Sequence, residues 1–156
     1  MSWLRGFDVV ASGLQAQRAR MEVVAQNLAN ADVTRTPEGG PYRRKEVVLA
    51  AALPGPLDLP PLVRLMRQEG IAAGGWSATS GSPVEVVQVR DDLGPPRRVY
   101  DPGHPDADAE GYVLMPNVDV PMEMADMMAA SRAYEANAAA LQQLRRSMEQ
   151  ALELLR

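Results

Sequence analysis

Helix-breaking residues are concentrated in the middle of this chain. All thirteen prolines lie from Pro37 to Pro121, and ten of the twelve glycines lie from Gly39 to Gly111. A proline inside a helix removes a hydrogen bond, clashes with the preceding turn and costs about 3 kcal/mol. With 156 residues the chain has the length of one ordinary domain, and only its two ends are free to form long helices. The expected fold class is α+β: long N- and C-terminal helices paired as an antiparallel coiled-coil-like bundle, with a small antiparallel β-rich insertion between them. The expected segments are an N-terminal helix over 1–32, an extended linker and β-rich insertion over 33–119, and a C-terminal helix over 120–156.

Both ends carry a seven-residue repeat. Phe7, Leu14, Met21 and Leu28 form one series, and Val10, Gln17, Val24 and Ala31 form its partner, with Gln17 as a polar break. Asn27, Asn30 and Asp32 favour caps and local turns, so the first helix is predicted to stop near Asn30 as a left-handed C-cap. At the other end Met127, Tyr134, Leu141, Met148 and Leu155 repeat at the same interval, beside Met124, Ser131, Ala138, Arg145 and Leu152. Pro121 suits the first helical position, where its missing N–H does no harm. Glu123 and Asp126 near the start suit the helix dipole. An isolated amphipathic helix is marginal in water, so each stripe needs a partner. Periodicity leaves two arrangements open: a closed helical hairpin, or an assembly device whose stripes also meet neighbouring molecules.

The middle reads as loops and short strands. Val84 to Arg90 is rich in β-branched residues and is predicted to be a strand. Asp91 to Pro96 reads as a turn, Arg97 to Tyr100 as the antiparallel partner, and Tyr112 to Met115 as the next strand of one meander. Leu62 to Gln68 fits a short helix or strand. Pro54, Pro56, Pro60 and Pro61 favour an extended strap, and Gly70 to Gly81 a loop.

Little in the chain points to catalysis. A net charge of −4 argues against nucleic-acid binding, and the basic clusters Arg43-Arg44-Lys45, Arg97-Arg98 and Arg145-Arg146 are short and separate. With no cysteine there is no thiolate chemistry. No apolar run approaches the ~20 residues needed to span a bilayer, and Met1 to Arg20 lacks the continuous apolar core of a secretory leader. The one histidine, His104, lies in an acidic run. There Asp106, Asp108, Glu110 and Gly111 open like a calcium loop, but Asn117 stands where the closing bidentate carboxylate belongs. The expectation is no enzyme, with no catalytic, metal or cofactor-binding residue, no cofactor, no small-molecule substrate and no membrane insertion. Two competing readings are a soluble helical-hairpin binding module that does not polymerise, and a metal-dependent enzyme using His104, Asp106 and Asp108.

Several blocks carry a resemblance. Ala25-Gln26-Asn27-Leu28-Ala29-Asn30-Ala31-Asp32 resembles the N-terminal signature of the bacterial flagellar rod and hook proteins. Residues 34–45, 99–108, 111–118 and 123–137 resemble the basal-body rod branch of that family, in order and over nearly the whole chain. Val33 stands where the family usually has threonine, and Leu53 to Ser80 and the end after Asn137 match only in character. The resemblance implies a structural subunit of the proximal rod. It would reach the periplasm through the flagellar type III export apparatus without a cleaved signal peptide. There it would polymerise with other rod subunits and copies of itself into a helical drive shaft for motility.

The residues expected to carry assembly are Phe7, Val10, Leu14, Met21, Val24, Leu28, Met127, Tyr134, Leu141 and Met148 along the stripes. Asn27 and Asn30 are expected to satisfy backbone groups where the first helix stops and the chain crosses to a neighbour, or to act as a purely local cap. Arg43 and Arg44, with Lys45, are expected either to meet acidic surfaces on neighbours or to remain solvated.

Overall fold

In a computed structural model, residues 2–52 and 82–153 are described. The readings made for Leu62 to Gln68, for the proline-rich strap and for Gly70 to Gly81 lie outside those residues, as does Leu155. The described chain runs α1 (Ser2–Ala29), β1 (Lys45–Ala51), β2 (Val84–Asp91), β3 (Arg97–Tyr100), β4 (Tyr112–Met115) and α2 (Val120–Glu153). The proline-free ends become helices of 28 and 34 residues, roughly 42 and 51 Å long at 1.5 Å per residue.

The helix ends are closed by polar groups. Asp119 is the N-cap of α2: its Oδ1 accepts the N–H of Met122 at 3.3 Å, satisfying one of the orphan donors of the first turn. Pro121 therefore sits one place further into the first turn than expected, where its N–H is still not needed. The left-handed cap at Asn30 does not form, since only glycines have positive φ among the described residues. Instead the Asn30 N–H is shared between the carbonyls of Gln26 and Asn27. Its side-chain Nδ2 donates to the Gln26 carbonyl at 2.7 Å.

The two helices run antiparallel. A methyl group placed on Gly6 would meet Leu144 at 3.8 Å, and one on Gly13 would meet the Asn137 amide at 3.0 Å. Asn27 bonds Glu123. Each step of seven or fourteen residues up α1 is thus matched by an equal step back along α2. The seam follows the positions of glycine, alanine and polar residues, where the backbones approach closely. Ala16, Val23, Val24 and Ala130 are buried beside it, while the larger Phe7, Leu14, Met21 and Leu28 are only half-buried on its flank.

The predicted single meander is replaced by two separate ribbons. β2 pairs not with β3 but with β1, in register from Lys45 opposite Asp91 to Ala51 opposite Val84, with a bulge at Val48/Leu49. β3 pairs with β4, from Arg97 opposite Met115 to Tyr100 opposite Tyr112. The physical cause lies in Pro95 and Pro96. They offer no N–H to a ladder and hold the residues before them extended, so the chain leaves the first ribbon instead of turning back on it. The Asp92 N–H donates to the Arg44 carbonyl at 2.7 Å, which extends the β1–β2 pairing. The strand at Lys45 to Ala51 was unread because it has neither a clean alternation nor a strong β-branched run.

The acidic run closes the β3–β4 ribbon. Asp108 Oδ1 accepts the N–H groups of Glu110 and Tyr112 at 2.9 and 2.8 Å, and Gly111 takes φ +83°, a conformation that glycine adopts without a steric penalty. Tyr112 N–H, with those of Glu110 and the Arg98 guanidinium, outweighs desolvation and holds the Asp108 carboxyl below its ordinary range. Asp108 is spent on the turn and on Arg98, whereas Asp106 Oδ2 accepts the Thr34 hydroxyl at 2.8 Å. No group of three or more metal-donor side chains converges among the described residues.

Candidate assembly interface

The most buried polar groups of the described chain lie where the end of α1, the start of β1 and the start of α2 meet. Asn27 and Glu123 are each 1% exposed. The Asn27 amide uses both of its donors and both acceptor positions. Nδ2 donates to the Lys45 carbonyl at 2.9 Å and to Glu123 Oε2 at 3.1 Å. Oδ1 accepts the Lys45 N–H at 2.9 Å and the Tyr42 hydroxyl at 3.1 Å. An amide side chain has no further capacity, so Asn27 is fully satisfied.

Glu123 is held from its other side. Arg44 Nε donates to Glu123 Oε1 at 2.6 Å, and the far side of the guanidinium lies 3.9 Å from Asp92 Oδ2. A buried carboxylate is tolerated only when it is paired and hydrogen-bonded, and both conditions hold here. Burial pulls the Arg44 guanidinium toward losing its proton, but the Glu123 bond and charge, then Asp92 and Glu46, outweigh it and raise its pKa. The Tyr42 phenol is also pushed up, first by burial and then by the carboxylates of Asp91 and Glu123.

This knot answers the expectations for the asparagines and the basic cluster. Asn27 is no local cap: it reaches 18 residues forward to Lys45 and across to α2, within its own chain. Asn30 does act locally, through Gln26. Arg44 turns its guanidinium to Glu123 and Asp92 of its own chain, with about a quarter of the side chain still exposed. Arg43 is exposed. The reasoning from sequence missed Tyr42 and gave Glu123 only a dipole role. The available signal was that Glu123, Ala130, Asn137 and Leu144 share a heptad position, which puts an acid on the seam.

The expected stripe residues are divided. Val24 is buried; Phe7, Val10, Leu14, Met21, Leu28, Met127, Leu141 and Met148 are half-buried; Tyr134 is exposed. Large apolar side chains stand in the open near the start of α2, with Met122, Met124 and Met128 exposed by 62%, 54% and 56%. Val120, Met124 and Met128 recur every four residues on one helix face. At the polar break in the first stripe, the buried Gln17 Oε1 receives no hydrogen bond among the described residues. Among the described residues the helix pair therefore closes a narrow seam of small and polar residues, with the apolar face at the start of α2 exposed and the apolar stripe of α1 half-buried.

Comparison with known proteins gives these features a family. Residues 7–35 match the family described as flagella basal body rod protein, and residues 109–154 match the C-terminal family of flagellar basal body rod FlgEFG proteins. The chain is 42% identical to the flagellar basal-body rod protein FlgC of Yersinia enterocolitica over 99% of this chain and 98% of that protein. It is 40% identical to FlgC of Bacillus subtilis and 37% identical to FlgC of Borreliella burgdorferi, over 99% of each chain in both cases. These relatives are rod proteins, and none points to a monomeric binding module or to an enzyme. Two terminal helices zipped along a small-residue seam, short β ribbons between them, and similarity along the whole length mark this chain as a member of the flagellar basal-body rod protein FlgC family.

Proposed function

We propose that the chain is a structural subunit of the proximal part of the flagellar rod, polymerising with copies of itself and with other rod subunits into a helical shaft that transmits torque. The observation that carries this reading is the exposed apolar face at the start of α2, with the half-buried apolar stripe of α1 on the other helix of the pair. An exposed apolar surface of this kind asks for another protein. The half-buried series Phe7, Leu14, Met21 and Leu28 lies on α1, whereas Val120, Met124 and Met128 lie on α2. Two different patches in contact make a heterologous interface, which propagates into a helix when the rotation does not close. Methionine suits a surface that must fit non-identical neighbours, because its unbranched side chain adapts.

In this reading residues 1–32 and 120–156 form the inner bundle, and 33–119 form the outer wall. Val10, Val24, Met127, Tyr134, Leu141 and Met148 support the bundle or its contacts, Asn27 and Asn30 fix the end of α1, and Arg43 remains available to an acidic neighbour. The subunit reaches the periplasm through the flagellar type III export apparatus without loss of a leader. Met128→Glu and Leu14→Glu test the proposal together, since each puts a charge on a flank outside the helix seam. The expected result is an unchanged helical circular-dichroism signal, loss of the chain from purified basal bodies and loss of swimming. Motile cells whose basal bodies contain the double variant would overturn it.

A further inference from the structure

We propose that the Asn27–Tyr42–Arg44–Glu123 knot is a register lock, which selects one alignment of α1 on α2 from several that the rest of the seam accepts. The connection between the helices runs from Asn30 to Asp119. A connection this long does not set the register, as a short hairpin loop would. The seam itself is permissive, because Gly6 and Gly13 on α1 and Ala130 and Ala151 on α2 stand at multiples of seven along it.

Two competing alignments can be written down. Sliding α2 by one heptad in one direction sets Gly13 opposite Ala130, two small residues that still fit, and sets Arg20 opposite Glu123, an acceptable ion pair. Asn27 then faces Pro116, which has no side-chain hydrogen-bonding group. Sliding it the other way sets Gly6 opposite Ala151 and Asn27 opposite Ala130. In both slipped forms Asn27 loses Glu123, and Glu123 loses its place beside Arg44. A buried polar group without partners is heavily penalised, so each alternative carries a cost that the native alignment avoids. Single buried polar residues in coiled coils are known to fix register in this way at the expense of stability. The Asn27 bonds to the Lys45 backbone and Tyr42 hold β1 on α1 in every alignment, so the choice of register rests on Glu123, read by Asn27 and Arg44. The inference concerns the isolated chain and does not depend on polymerisation.

The absence of cysteine makes a direct test possible in the full-length protein. Gly6→Cys is combined in turn with Leu144→Cys, which reports the native alignment, and with Asn137→Cys or Ala151→Cys, which report the two slips. In the native alignment the slipped pairs are roughly 10 Å of helix rise out of place, beyond disulfide reach. Each double variant is equilibrated in a glutathione redox buffer at low protein concentration, and the intramolecular disulfide is quantified by mass. With the knot intact, the native pair should form at least about tenfold more readily than either slipped pair. With Asn27→Leu, Arg44→Met and Glu123→Leu together, helicity and a cooperative melt should persist, with the midpoint lowered by no more than Asn27→Ala alone costs, while the pairs come within about threefold of one another. A native preference that survives the triple replacement overturns the proposal. So does a triple variant that unfolds, since the knot would then hold the fold by its energy alone.

Discussion

Replacing Asn27 by alanine separates a tertiary clamp from a local cap. The substitution deletes four hydrogen bonds, to the Lys45 carbonyl, the Lys45 N–H, the Tyr42 hydroxyl and Glu123 Oε2. At a net ~0.5–1.5 kcal/mol each, the sum is about 2–6 kcal/mol. The Lys45 and Tyr42 partners are only part-buried and can turn to water, which favours the lower half of that range, near 3 kcal/mol. Glu123 cannot do so, being 1% exposed. A chain of this size loses roughly 2–4 °C of Tm per kcal/mol, so the midpoint should fall by about 6–12 °C. Urea unfolding followed by circular dichroism gives a second measure, with the midpoint lowered by roughly 1–3 M for an m-value of 1–3 kcal/mol/M. Asn30→Ala is the matched control, because it removes one exposed bond to the Gln26 carbonyl and should cost about 0.5–1 kcal/mol. If the two variants melt together, the reasoning about the knot is wrong.

Two further outcomes follow from other parts of the fold. Gly111→Ala should destabilise the β3–β4 ribbon by roughly 1–2 kcal/mol for the left-handed conformation alone. The added methyl would also press on the Tyr100 ring at 2.9 Å, and amide exchange of Val99 and Val113 should accelerate while that of α1 stays unchanged. Tyr42 has its pKa raised on folding, so its neutral form contributes stability fully present below the ordinary phenol pKa of 10.0 and lost as pH rises through the higher folded value. Alkaline titration at 295 nm should show one late tyrosine step that Tyr42→Phe removes. An unchanged profile in that variant would contradict its burial among carboxylates.

Much of the architecture was legible because backbone chemistry imposes it. Proline and glycine positions fix where long helices are allowed, and the heptads between them give the antiparallel pair. The seam was less legible. Hydrophobic ranking selects Phe7, Leu14 and Met21, whereas close helix packing selects Gly6, Gly13 and Ala16, which such a ranking passes over. The large residues were identified, but their role shifts from filling the seam to flanking it. Strand pairing was the weakest point. The nearest strand in sequence was a natural partner for β2, and only the long-range link from Lys45 to Asp91 reveals β1. The knot was partly visible through Asn27 and Arg44, but joining them needed Glu123, 96 residues further along the chain.

The β1–β2 ribbon is fastened to α1 at both of its ends. Asn27 grips Lys45 at one end, and at the other the Val84 N–H donates to Ser12 Oγ at 2.9 Å. Ser12 and Asn27 lie fifteen residues apart, roughly 22 Å of helix, which matches the roughly 23 Å length of a seven-residue strand. A strip riveted at one point swivels about it; one riveted at two matched points cannot. A twisting load on the ribbon is therefore delivered to α1 as a couple spread over about four turns.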